Sequence, residues 1–320
     1  MDIEWRPLAE KDVPAWAELL RAAEEVDQED EHYSEEDLAE ELADPLIDAE
    51  RGTLAGFDGA ALVALGQLRV RSGADPVHKM GYRGVVHPAY RGRGLGTRLL
   101  TWAPGAAKPL HAEVFPEARL ELNTGHISTN TQAGELFVRH GYRPTRYYNG
   151  MRRDLGPDLP PVVAVQGIDI VGYSPELDAE AFEVKNETFK DHWGSTPFTP
   201  EQWQNMYSQS VSFRPDLSFL AIDGASGQAM GVILSKYYEA DTAATGRRDA
   251  YIAVVGTLRA ARGRGVATAL LSTAMHAARG AGFDTASLGV DSQNPTGALG
   301  VYERAGLRVK DTWINYSREF

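Results

Sequence analysis

Residues 253–271 read AVVGTLRAARGRGVATALL, and residues 82–100 read YRGVVHPAYRGRGLGTRLL. With Arg91 set over Arg262, each stretch gives an apolar strand, a short turn, Arg-Gly-Arg-Gly and the start of a helical pattern. A second matched pair follows in the same order, GELFVRHGYRPT at 134–145 and GVYERAGLRVKD at 300–311. Each reads as a helix closed by a glycine, Gly141 or Gly306, and then a strand. Two blocks repeated in one order imply two copies of one α/β domain. Between them, residues 154–161 read DLGPDLPP, whose three prolines and one glycine make a stiff, irregular connection. The boundary is therefore placed near Pro157–Pro161, giving domains at 1–156 and 157–320.

The rest of the composition agrees. A chain of 320 residues has length for two domains with a core each. It contains no cysteine. Disulfides, thiolate metal sites and a cysteine nucleophile are thereby excluded, and a reducing, cytoplasmic setting is expected. No apolar run is long enough to span a membrane, and the first residues lack the basic and apolar blocks of a signal peptide. The net charge of −13 makes a poor nucleic-acid binder. Nearly all of that charge sits between Glu24 and Glu50, where fourteen acids stand without a lysine or arginine. Such a run is usually a solvated face; here it is also a candidate funnel for a cationic molecule.

Each copy reads as strand, helices, hairpin, strand, glycine turn, helix, strand, helix, strand. In the first copy the strand before the turn covers Lys79–Val86 and the later helix Ser128–Arg139. Ser34 with Asp37 forms a capping signal for an acidic helix that ends at Asp44-Pro45. In the second copy the corresponding elements are Ala250–Val255, Val266–Arg279, Thr285–Val290, Pro295–Arg304 and Leu307–Tyr316. No His/Asp/Glu spacing suggests a metal, and no Ser-His-Asp set has local support.

The glycine turns can hold phosphate. Glycine permits φ > 0 and close backbone approach, and the helix that follows presents unpaired N–H groups and the positive end of its dipole. A Walker loop would need Gly-Lys-Ser/Thr, and a Rossmann fingerprint would need GxGxxG early in a βαβ unit; neither is present. The candidate residues are Arg262, Gly263, Arg264, Gly265, Val266, Ala267 and Thr268 in the second copy. In the first they are Arg91, Gly92, Arg93, Gly94, Leu95, Gly96 and Thr97.

These segments resemble motif A of the GNAT acetyltransferase superfamily, with Val86 and Thr257 in the strand-end place five residues earlier. Asn294-Pro295 with Tyr302-Glu303-Arg304-Ala305-Gly306 resembles its motif B. The tandem arrangement is similar to that of mycothiol synthase and related actinobacterial two-domain members. The resemblance implies two tandem GNAT domains, each a mixed, mostly antiparallel central sheet flanked by helices and packed as an internal pseudo-dimer, with room for a homo-oligomer. It implies acetyl-CoA as co-substrate. The diphosphate would lie on the amides of 262–267 and the pantetheine arm along Val255–Thr257, where two strands splay, with Asn294 bonding that arm. Asn294 suits a helix N-cap equally well.

The resemblance also places a tyrosine near the departing sulfur. Tyr302 matches it, whereas the first copy has Phe137, which has no proton to donate. The C-terminal copy is therefore expected to be catalytic and the N-terminal copy degenerate. Family members often place a glutamate where Tyr251 stands. Asp249, two residues earlier on the same strand face, is then either a base acting through water or a surface acid. Asp291 is a further candidate, and an acceptor amine of low pKa would need no base. His192-Trp193-Gly194, Trp203 and Tyr207 fall among the early helices, as cleft wall or as core. The expected activity is transfer of acetyl from acetyl-CoA to a primary amine of a small cationic molecule, directly in a ternary complex. The alternatives are a peptide or protein N-acetyltransferase and a non-catalytic CoA-binding module.

Overall fold

The computed structural model describes residues 2–74, 76–190, 192–294 and 297–320. The chain forms two compact units, one of residues 1–147 with 313–320 and the other of residues 148–312.

In the first unit the elements run β1 (Glu4–Arg6), α1 (Val13–Asp27), α2 (Glu35–Leu42), β2 (Thr53–Asp58), β3 (Ala61–Arg69), β4 (Val77–Val86), α3 (Leu95–Val114), β5 (Arg119–Ile127), α4 (Thr131–Arg139) and the start of β6 (Arg143–Asp154). Strands pair β1-β2-β3-β4-β5 in antiparallel fashion except for β4–β5, which is parallel. Helix α3 packs Leu99, Leu100 and Ala103 with Leu68, Met80 and Leu122 of the sheet. Helix α1 places Trp16 and Leu19 against Ala55, Phe57 and Leu65. Ser34 caps α2 as the sequence implies, its hydroxyl accepting the Asp37 N–H at 3.1 Å.

The second unit repeats the plan: β7 (Ile168–Gly172), α5 (Asp178–Thr188), α6 (Pro200–Trp203), β8 (Phe219–Asp223), β9 (Ala229–Lys236), α7 (Glu239–Thr245), β10 (Asp249–Thr257), α8 (Val266–Gly280), β11 (Thr285–Asp291), α9 (Ala298–Arg304) and the start of β12 (Arg308–Glu319). Here β10–β11 is the parallel pair. Every residue of β9 is buried, because α8 covers one face through Leu270 and Leu271 while Val184 and Trp203 cover the other. Trp203 and Tyr207 are thus core residues, 2% and 4% exposed.

The division of the chain differs from the one read at Pro157–Pro161. Strand β6 runs on through Asp154, and its residues 148–154 pair antiparallel with β11 of the second unit. Residues 313–319 of β12 pair antiparallel with β5 of the first. Each sheet is therefore completed by the strand that follows the last helix of the other repeat. The proline segment comes after that exchange.

Candidate active site

In the second unit β10 ends at Thr257, and α8 begins at Val266 with Gly265 as its N-cap. Gly263 and Gly265 take φ of +75° and +90°, a left-handed backbone that a residue with a Cβ adopts only under strain. The first helical bond runs from the Ala269 N–H to the Gly265 carbonyl at 3.0 Å. The N–H groups of Val266, Ala267 and Thr268 therefore lack intrahelical acceptors and point out of the helix start. Arg262 turns back, its Nε donating to the Thr257 carbonyl at 3.2 Å. Arg91 does the same to Val86 at 3.0 Å in the first unit. Arg264 donates to the Gln166 carbonyl at 3.2 Å. The leading arginine of each turn therefore ties the turn to its strand.

The parallel strands open at this end. β10 and β11 pair from Asp249↔Thr285 to Tyr251↔Ser287 and no further, so Ile252–Thr257 and Leu288–Asp291 diverge. β4 and β5 pair from Val77↔Arg119 to Gly81↔Asn123 and then part in the same way. Helix α5 approaches the freed arm of β10 so closely that a Cβ on Gly256 would meet the Thr188 Oγ1. At the arm's tip the Thr257 hydroxyl is buried without a hydrogen-bond partner. A buried polar group left in that state disfavours folding unless something binds it. An amide-bearing chain laid along the arm, such as a pantetheine, would supply that partner, so these residues fit a CoA thioester.

Tyr302 lies on α9 and is 8% exposed. It packs in one cluster with Val290 of β11 and Val255 of β10, one on each side of the parting strands. Burial pushes its phenol up to about 12, so the hydroxyl keeps its proton at physiological pH. Helix α9 starts later than the sequence suggests, at Ala298, with Gly297 at the N-cap in a left-handed conformation, φ +74°. Asn294 is therefore not that helix's N-cap. Its backbone N–H closes a turn on the Asp291 carbonyl at 3.0 Å, and Pro295 lies outside the described residues.

Asp249 is neither an exposed acid nor an open base. Its side chain is 10% exposed and lies 3.5 Å from Arg152 Nε. Its two oxygens accept the hydroxyls of Thr285 and Ser287. It stands where β10 and β11 are still paired, three residues before Ile252, and it fastens the closed end of the opening. We expect Asp249→Asn to lower stability by about 1–3 kcal/mol and to leave kcat within about tenfold. Thermal melts beside saturating kinetics check this, and a kcat loss comparable to that of Tyr302→Phe would restore Asp249 as the base.

In the first unit Gly92 and Gly94 repeat the left-handed pair, φ +74° and +84°. Arg91, however, is clamped by Asp27 at the end of α1, with Nη–Oδ distances of 2.7 and 2.6 Å. Asn130, the N-cap of α4, accepts the Ala133 N–H at 3.2 Å and donates to Asp27 at 3.3 Å. Phe137 packs against His126, Tyr142 and Tyr316. A cleft of about 1000 Å³ opens between the freed arm of β4, the glycine turn and the acids that follow α1. Sequence reasoning missed Asp27, His126 and Glu29 at this cleft. Only the run of acids hinted at one of its walls.

Comparison with known proteins agrees with this geometry. Residues 179–307 match the Acetyltransferase (GNAT) family and residues 54–144 match a GNAT acetyltransferase domain. A mycothiol acetyltransferase of Mycobacterium sp. (strain JLS) is 30% identical over 69% of this chain and 67% of its own length. That of Salinispora arenicola (strain CNS-205) is 29% identical over 94% and 91%. Among solved structures, a GCN5-related N-acetyltransferase from Sphaerobacter thermophilus superposes with a TM-score of 0.78 at 28% identity, covering 99% of this chain and 95% of that one. The chain belongs to the GNAT acetyltransferase family, as a tandem member of mycothiol synthase-like type. It is an acyltransferase, and acetyl is the group that the family transfers. Among the described residues no helix is long and apolar enough to cross a membrane.

Proposed function

We propose that this protein is an acetyl-CoA-dependent N-acetyltransferase that moves acetyl directly to a primary amine of a small cationic molecule, with the C-terminal unit doing the chemistry. Acetyl-CoA, when bound, supplies an activated thioester. The amides of Val266, Ala267 and Thr268 hold its diphosphate at the positive end of α8. The freed arm Val255–Thr257 carries the pantetheine, and the Thr257 hydroxyl takes one of its amides. A backbone N–H of that arm stabilises the oxyanion that forms as the amine attacks. Tyr302 donates its proton to the sulfur as the C–S bond breaks. The amine's own proton leaves to solvent, and solvent returns one proton to the Tyr302 oxygen, so the phenol is restored. Asn294 stands at the mouth of the opening, beside the end of β11.

One observation carries this reading. The unpartnered Thr257 hydroxyl, the unpaired amides at the start of α8 and the protonated Tyr302 all belong to one family-matched unit. The N-terminal unit, with Phe137 in the tyrosine's place, takes no part in transfer. Relatives named for mycothiol favour a small acceptor over a protein. The test is a thiol-release screen with acetyl-CoA against small amines and short peptides. Release driven by small cationic amines is expected. Release only with peptides, or with none of the acceptors, would overturn the proposal.

A further inference from the structure

The second unit carries a bare patch on the sheet face turned away from α8. Strand β11 lies between β10 and β6, yet Gly289 within it is exposed. Leu288 and Val290 on either side belong to the core that holds Leu270 and Leu271 of α8, so Gly289 faces the other way. A Cβ built on Gly289 would have one neighbour within 4 Å, the Tyr251 hydroxyl at 3.8 Å. Gly289 stands opposite Gly150 of β6 in antiparallel register. That puts both glycines on one face, with about 4.5–5.5 Å between their Cβ positions. The patch begins two residues beyond Ser287, where β10 and β11 cease to pair. It therefore adjoins the strand opening.

Groups of two kinds border it. On the β10 side is Tyr251, its ring 6.5 Å from that of Tyr238. On the β6 side is Asp311 of β12, whose carboxylate sits over Gly150 where an added Cβ would overlap it. The Asp311 side chain is 14% exposed, and its Oδ2 lies 3.4 Å from Lys310 Nζ. Its Oδ1 is buried without a hydrogen-bond partner. Two other cations on this face have partners of their own. Arg152, two residues along β6 from Gly150, lies 3.5 Å from Asp249. Lys236, opposite Tyr251 on β9, lies 5.5 Å from the centre of the Tyr207 ring.

A carboxylate oxygen only accepts, and one left unmet in a buried position is costly. The complement it lacks is a charged N–H donor. Tyrosine rings attract the same group. The glycine patch leaves room for an alkyl chain between the opening and that carboxylate.

We propose that Asp311 selects the acceptor, which is a small diamine. One nitrogen attacks at the opening, the chain lies over Gly289 and Gly150, and the second nitrogen, as ammonium, donates to the Asp311 carboxylate. Asp311 is thus a specificity-determining residue, which takes no proton from the attacking nitrogen. The inference rests on the assignment of transfer to this unit and names the acceptor class for it.

The experiment is calorimetric titration of the full chain, saturated with CoA, with diaminobutane and with butylamine as the matched monoamine. With CoA in place of its thioester no transfer occurs, so binding is read without turnover. Diaminobutane should bind about tenfold or more tighter than butylamine. Asp311→Asn keeps the shape of the side chain and should remove that preference. It should weaken diaminobutane by about tenfold or more and leave butylamine and CoA within about twofold. Gly289→Val fills the patch and should weaken both amines by about tenfold. Asp169→Asn changes an exposed acid of β7 and should alter neither. Equal or absent binding of the two amines by the unchanged protein would overturn the proposal. So would an Asp311→Asn variant that weakens both amines alike, or that weakens diaminobutane no more than Asp169→Asn does. Should Gly289→Val fail to fold, the comparison of Asp311→Asn with Asp169→Asn decides. A diamine bound through Asp311 that releases no thiol from acetyl-CoA would keep this site and overturn the transfer reading. Thiol release with amines but no preference for the diamine would do the reverse.

Discussion

Tyr302→Phe should keep its affinity for acetyl-CoA and lose kcat by about a hundredfold to ten-thousandfold, the range for a positioned general acid. The reason lies in the side chain's setting. The phenol is 8% exposed and raised to about 12, so it stays protonated and can donate to a thiolate as that charge develops. Removing one oxygen from a ring in the core leaves the apolar cluster it belongs to, with Val290 inside it and Val255 at its edge, in place, which separates a chemical loss from a structural one. The N-terminal unit offers no substitute, because Phe137 stands in the equivalent helix. Steady-state kinetics with calorimetric CoA binding make the measurement. A variant at full rate would remove Tyr302 from the mechanism.

The second large effect should follow from Gly265→Val. At φ +90° a β-branched residue is held in a backbone region that costs about 1–3 kcal/mol. Relief of that strain would turn the N–H groups of Val266–Thr268 away from the diphosphate. Ordinary overlap is not the cause, since the nearest atom to a Cβ there is Val165 Cγ2 at 3.8 Å. The expected result is a KM for acetyl-CoA raised by about tenfold or more with the unit still folded. Gly94→Val makes the matching change in the first unit, at φ +84°, and should leave turnover unchanged. The reverse pattern, with Gly94→Val losing activity and Gly265→Val keeping it, would move catalysis to the N-terminal unit. Kinetics for both variants beside thermal melts distinguish the outcomes.

Much of the architecture is legible along the chain because its determinants are local. A left-handed residue at a helix start demands glycine, so the paired Arg-Gly-Arg-Gly turns announce themselves twice. The alternation of β10, buried at every second residue, and the Ser34–Asp37 cap act within a few positions. Other features are not local. Asn294 suits a helix N-cap, yet α9 takes Gly297 in that place. Asp249 reads as a base or a surface acid until the register sets it opposite Thr285 and beside Ser287. The acids after α1 read as a solvated run until the hydrogen bonds to Glu24 bring Glu29 to a cleft wall.

From its sequence alone this protein is determined to be a duplicated α/β chain, each copy with a phosphate-competent turn and only the second with a tyrosine on the late helix. Those facts depend on backbone conformation and residue identity, which a short window contains. Tertiary structure alone decides that residues 148–154 of β6 pair with β11 and residues 313–319 of β12 with β5, that Asp249 accepts the hydroxyls of Thr285 and Ser287 where β10 and β11 are still paired, and that Arg91 is neutralised by Asp27. Each of these depends on which distant strand or helix supplies a hydrogen-bond partner. No spacing along the chain encodes that choice; it is made by the packing that buries one face of every element.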